Sequence, residues 1–158
     1  MKCKKSLCSL LVLLTVIAIE RPSTVWGAIS NCTITTVIPV AFGTYNVFAA
    51  TALTVTGSVA VSCTGSGNAI VTFDKGQHSN SFASRAMQQT GGVDLLTYNL
   101  YTDAAATTVW GDGTGGTATQ KLAGNSPSAT LTVFGQADAG QDVPAGSYTD
   151  TVVITVNF

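Results

Sequence analysis

Residues Leu53 to Cys63 read Leu-Thr-Val-Thr-Gly-Ser-Val-Ala-Val-Ser-Cys. Leu53, Val55, Gly57, Val59, Val61 and Cys63 fall on one parity, and Thr54, Thr56, Ser58, Ala60 and Ser62 on the other. A period of two over this length is the signature of a pleated strand with one wet face, and it is incompatible with the 3.6-residue period of a helix. The C-terminus repeats it: Val152, Ile154, Val156 and Phe158 alternate with Thr151, Val153, Thr155 and Asn157. Beyond residue 27 there is no Glu and little Lys, while Thr and Val abound, so strong helix formers are scarce and strand formers plentiful. Shorter strand candidates are 33–40, 70–73, 96–102, 117–122 and 129–135, separated by turn signals such as Asp74-Lys75-Gly76, Gly91-Gly92, Asp112-Gly113 and Pro144-Ala145-Gly146. About seven strands with recurrent turns and no helical segment imply an all-β sandwich. Residues 77–92 lack strand patterning and are expected to form a surface loop or a poorly patterned edge strand.

The N-terminus has a different character. Lys2, Lys4 and Lys5 precede an apolar run from Leu7 to Ile19, a polar stretch from Glu20 to Thr24, and small residues at Gly27 and Ala28. This is the layout of a secretory signal peptide. The run is shorter than the roughly 20 residues that cross a bilayer, so no transmembrane anchor is expected after processing. Cleavage after Gly27 is expected, with Val25 and Gly27 at the recognition positions. Cleavage after Ala28 would place the bulky Trp26 there instead. Residues 28–158 then form one domain.

That domain contains two cysteines, Cys32 and Cys63. In an exported, oxidising setting they read as one disulfide. Its basic residues are Lys75, Arg85 and Lys121, against seven aspartates, so nucleic-acid binding, which needs clustered cations, is excluded.

Candidate chemistry is thin. His78 is the sole histidine and lies in a loop-like context, Gly76-Gln77-His78-Ser79-Asn80, where it is expected to be solvated. It has no partners at metal-ligand spacing, and no G-x-S-x-G elbow accompanies it. Asp74, Asp112 and Asp142 sit in turn contexts, where such side chains bond their own backbone. No catalytic residue, metal site or cofactor is expected. Trp110 and Tyr101 are candidate ligand contacts, as stacking surfaces for a sugar; a carbohydrate-binding module is the alternative function. Tyr148 follows Pro144-Ala145-Gly146, a place where a tyrosine hydroxyl bonds corner backbone.

Several segments in order resemble the spore coat protein U domain family. They are Ala41-Phe42-Gly43-Thr44-Tyr45, Arg85-Ala86-Met87, Tyr98-Asn99-Leu100-Tyr101-Thr102-Asp103, Thr108-Val109-Trp110-Gly111-Asp112-Gly113, and Pro144 to Thr151 leading into Val152–Phe158. The resemblance covers residues 32–158. It implies an immunoglobulin-like pilin sandwich lacking one strand, as in subunits of archaic chaperone–usher pili. A periplasmic chaperone lends such a fold a strand, and a sibling subunit later replaces it, by β-strand addition. The resemblance implies as partners that chaperone, an outer-membrane usher and sibling pilin or coat subunits. It maps the family disulfide onto Cys32 and Cys63, and the groove and chaperone contact onto Val152, Ile154, Val156 and Phe158. The implied location is the periplasm in transit, then the cell surface, a pilus or a spore coat. Polymerising pilins carry a donor segment before the first cysteine. After cleavage at Gly27 only Ala28, Ile29, Ser30 and Asn31 precede Cys32, too few for a donor strand. A terminal, strand-accepting subunit, or a coat protein that does not polymerise this way, is therefore expected. Cleavage after Ala18 would give a longer tail, but Glu20, Arg21 and Pro22 make it a poor strand.

Overall fold

The computed structural model describes residues 10–18 and 28–158. The lysine-rich start and the expected cleavage site at Val25–Gly27 lie outside them. The described residues form β1 (Leu10–Ala18), β2 (Asn31–Ile38), β3 (Leu53–Thr64), β4 (Ser66–Phe73), β5 (Arg85–Gln89), β6 (Leu95–Tyr101), β7 (Gln120–Asn125), β8 (Ser128–Ala137) and β9 (Tyr148–Asn157), with no helix among them. The all-β expectation is met. No described helix is long and apolar enough to cross a membrane.

The two alternating segments behave as their period dictates. In β3 the side chains of Val59, Val61 and Cys63 are buried and those of Ser62 and Thr64 exposed. In β9, Tyr148, Asp150, Val152, Ile154 and Val156 are buried, and the residues between them are not. Hydrogen bonding runs continuously in the order β2-β3-β8-β6-β5-β9-β4-β7, every neighbouring pair antiparallel. Val59, Val61 and Val133 from one end of that order share a core with Val71, Leu122, Val152 and Ile154 from the other. A flat sheet could not bring those ends together, so the ladder folds over on itself as a sandwich.

Residues 77–92, expected as a surface loop or a poorly patterned edge strand, contain the strand β5. It is not an edge: it pairs with β6 on one side and β9 on the other. Arg85, Ala86 and Met87 are all buried, so no alternation shows in the sequence. Strand 117–122 starts later, at Gln120, and runs to Asn125.

Two glycines let a connection cross the sandwich. The segment after β2 brings Val40, Phe42 and Tyr45 into the core. A Cβ at Gly57 would lie 2.6 Å from the Ile38 carbonyl oxygen, and one at Gly135 would strike the Val40 side chain and the Phe42 ring. Glycine in these strand interiors is a close-approach requirement. Tyr45 closes the crossing: its hydroxyl donates to the Asp138 carbonyl at 2.6 Å and accepts from the Gln141 amide at 3.0 Å. At the other corner the Tyr148 hydroxyl donates to the Pro144 carbonyl at 2.8 Å, the corner bond expected from its place after the turn.

Candidate strand-pairing edge at β9

β9 has two unlike sides. On one, Ile154–Asn157 pair with β4 and Tyr148–Thr149 with β5. On the other, Tyr148–Val156 pair residue by residue with Leu10–Ala18, and this ladder is parallel, the one parallel strand pairing among the described residues. β1 joins the sheet through β9 alone and passes near β2. It thus runs along the side of β9 that borders the groove implied by the family resemblance.

Of the expected groove residues, Val152 and Ile154 are fully buried and Val156 almost so. They stand in register with Leu14, Val16 and Ala18. Phe158 lies past the last β1 pair and is half-buried against the core.

β9 is held from behind by a buried polar net. Asp150 is 2% exposed. Its Oδ1 accepts from the Gln77 amide at 2.9 Å and from His78 Nδ1 at 3.0 Å, and its Oδ2 accepts from the Tyr98 hydroxyl at 2.7 Å. Burial, reinforced by the Asp150 charge and hydrogen bond, pushes the Tyr98 phenol well above its usual range. Gly76 lies against this carboxylate with φ +78°, where any side chain would be both strained and in collision. Asp74 Oδ1 accepts from the amides of Gly76 and Val153, both at 2.9 Å. It therefore serves as the expected turn residue and also pins the middle of β9.

Arg85 is fully buried beneath this layer. Its Nε and Nη2 donate to the Asp74 carbonyl at 3.0 and 2.7 Å, Nη2 also to the Trp110 carbonyl at 2.7 Å, and Nη1 to Asn99 Oδ1 at 2.6 Å. Burial pulls the guanidinium below its usual value, and the nearby Tyr98, Asp74 and Asp150 oppose that. Asn99 Nδ2 donates to the Phe82 carbonyl at 2.8 Å. Every buried side-chain nitrogen and oxygen among the described residues has a partner, as a closed polar network in a core requires.

Two readings of single residues change, those of Trp110 and His78. Trp110 is not a ligand platform: it is fully buried, its ring stacked on Phe73 at 4.3 Å and its Nε1 donating to the Val71 carbonyl at 3.1 Å. The flat indole fills the core because both faces are apolar and its one donor finds a strand carbonyl. Tyr101 is half-buried and borders a shallow recess of about 360 Å³ with Thr54, Thr56 and Phe134, apart from Trp110. His78 is no freely solvated loop residue but the partner of Asp150, with 26% of its side chain exposed. The neighbouring Ser79 hydroxyl is turned to the Ser81 and Ser84 carbonyls, so the pair does not extend to that nucleophile. Asp112 does act as a turn residue: its Oδ1 accepts from the Thr114 hydroxyl and amide, which hold its pKa below the ordinary value.

Cys32 and Cys63 face each other across β2 and β3 and form a disulfide, with Cα atoms 4.1 Å apart.

The polar net could not be assembled from sequence. Arg85, Asn99, Tyr98 and Asp150 were visible as motif residues, but nothing in their spacing says that they converge. A family model described as Spore Coat Protein U domain matches residues 24–155. The chain belongs to the spore coat protein U domain family. A curated relative, Protein U of Myxococcus xanthus, is 38% identical over 127 residues, covering 74% of this chain and 70% of the relative. A solved structure is similar in fold: the CsuC–CsuE chaperone–tip adhesion subunit pre-assembly complex from archaic chaperone–usher Csu pili of Acinetobacter baumannii, with TM-score 0.51 and 24% identity over 66% of this chain. The chain spans about a third of the solved chain it matches, 34%. The all-β fold expectation agrees with this likeness.

Proposed function

We propose that this spore coat protein U domain is a non-enzymatic structural subunit of a bacterial surface appendage or of a spore or cell coat, exported through the periplasm and assembled by strand addition at β9. The observation that carries the reading is the outer side of β9. Asp150, Val152, Ile154 and Val156 turn buried side chains inward while their strand takes a partner in parallel on that side. A long edge of this kind gives main-chain bonds for affinity and alternating positions for specificity. The partners are a periplasmic chaperone, an usher and sibling subunits. The family model, the Protein U relative and the pilus-subunit fold support this.

The finer role is acceptance without donation. In the chain processed after Gly27 the residues before Cys32 are tied to their own domain: the Ser30 amide donates to the Thr64 carbonyl at 2.9 Å, and β2 begins at Asn31. Little is left to reach a neighbour, which favours a terminal position in a fibre.

The test is co-expression of the exported chain with a periplasmic chaperone of the archaic chaperone–usher type, followed by affinity capture from the periplasm. A one-to-one complex, lost when Val152 and Ile154 are both changed to Asp, supports the reading. A stable monomer that ignores the chaperone overturns it. The mature N-terminus, read by mass spectrometry, decides whether a donor arm exists.

A further inference from the structure

We infer that Leu10–Ala18, the apolar segment of the expected leader, is an intramolecular occupant of the strand-accepting edge, so that the unprocessed chain is self-capped and processing opens it. Three observations converge. Nine consecutive residues of this segment pair with nine of β9 without a register break, from Leu10 opposite Tyr148 to Ala18 opposite Val156. The pairing lies on the side of β9 that β4 and β5 leave free. The Val153 amide donates to Asp74 Oδ1 and its carbonyl accepts from the Asp74 amide, so the amides of Val152 and Ile154, one residue either way, point to the β1 side. The register also sets Leu10, Val12, Leu14, Val16 and Ala18 opposite the five buried residues of β9.

The segment is apolar enough to serve as a leader and, for the same reason, to cover a sheet edge; nothing in it but Thr15 carries a polar side chain. An exposed edge of this length is an aggregation hazard. Self-capping keeps it covered until cleavage after Gly27 severs β1 from the domain. The accepting edge then becomes available only to a processed chain, which couples strand exchange to export. This inference rests on the strand-acceptance reading for its purpose, but not for its geometry.

The test uses the full chain, residues 1–158, in a Cys3→Ser, Cys8→Ser background. Thr15→Cys with Val153→Cys places thiols at directly paired positions. Thr15→Cys with Thr149→Cys places them four positions out of register. Mild oxidation and mass spectrometry of unreduced peptides are expected to give at least tenfold more of the 15–153 link than of the 15–149 link. Equal yields, or no 15–153 link in a chain that retains its Cys32–Cys63 bond, overturn the proposal. Hydrogen exchange on the chain with native cysteines gives a second reading. Leu14→Pro together with Thr15→Pro is expected to speed exchange at Val152 and Ile154 at least tenfold while leaving Val153 unchanged. A uniform change along β9, or none, counts against it. If the crosslink forms but the processed chain ignores the chaperone, self-capping stands and the assembly reading falls. If the chaperone binds without any such link, the reverse holds.

Discussion

Arg85→Lys is the sharpest probe of what holds the spore coat protein U domain together behind β9. The guanidinium bridges two main-chain carbonyls, of Asp74 and Trp110, and the Asn99 side chain, through three different nitrogens. Asn99 Oδ1 also accepts the Leu100 amide at 3.0 Å, so it keeps a partner if Arg85 is lost. The two carbonyls are the exposed liability. A lysine keeps the charge but presents its donors from a single atom, and it cannot reproduce the planar fork. At least one carbonyl is then left buried and unpaired, at about 1–3 kcal/mol. The cation over the Phe82 ring, 5.4 Å from its centroid, is displaced as well, for roughly 0.5–1 kcal/mol. The expected loss is about 1.5–4 kcal/mol, which for a domain of this size lowers Tm by roughly 5–15 °C. Equilibrium urea unfolding followed by circular dichroism measures it, with an unchanged m-value showing that the same surface is exposed. Arg85→Met, which also removes the buried charge, separates fork from charge: it is expected to cost about as much, because the carbonyls stay orphaned while the desolvation of the cation is relieved. If both variants unfold within about 0.5 kcal/mol of the parent, the fork is not what secures β9 and the reasoning fails.

Three further outcomes follow from the same structure. Replacing Cys32 and Cys63 by Ser opens a loop with a sequence separation of 31, and the chain-entropy relation gives a loss of about 3–4 kcal/mol, readable as the gap between unfolding midpoints with and without the bond. Gly135→Ala drives a methyl group into Val40 and Phe42 and is expected to destabilise by about 1–3 kcal/mol, whereas Gly91→Ala, whose Cβ would meet nothing within 4 Å, is expected to cost only the strain of its positive φ. Raising the pH should destabilise the domain through Tyr98: its folded pKa lies above the unfolded value near 10, so its contribution is complete below that value and is lost as pH rises through the folded pKa. Tyr98→Phe should flatten that alkaline limb, and identical limbs for parent and variant would discard the assignment.

The fold was legible because its strands alternate. β3 and β9 carry their buried and exposed faces in the order of their residues, and the cysteines announced their pairing through compartment and number. β5 was nearly invisible because Arg85, Ala86 and Met87 are all buried, and a strand enclosed on both faces loses the period that reveals it. The site was legible only in part. The inward row of β9 could be named from its spacing, but which side of that strand is free could not, since periodicity gives faces and says nothing of neighbours.

Sequence alone therefore determined the all-β class, the turn positions, the disulfide and the family, each a local or compositional property of the chain. Tertiary structure alone decided the rest. It buried Trp110 against Phe73, converting an apparent sugar platform into core. It drew Arg85, Asn99, Asp74, His78, Tyr98 and Asp150 from four separate stretches into one net. It also set an N-terminal apolar segment, which reads by itself only as a leader, along the open side of the last strand. The physical reason is common to all three. A side chain's chemistry is written in the sequence, but whether it meets water, another residue or a bare sheet edge depends on contacts between stretches far apart in the chain.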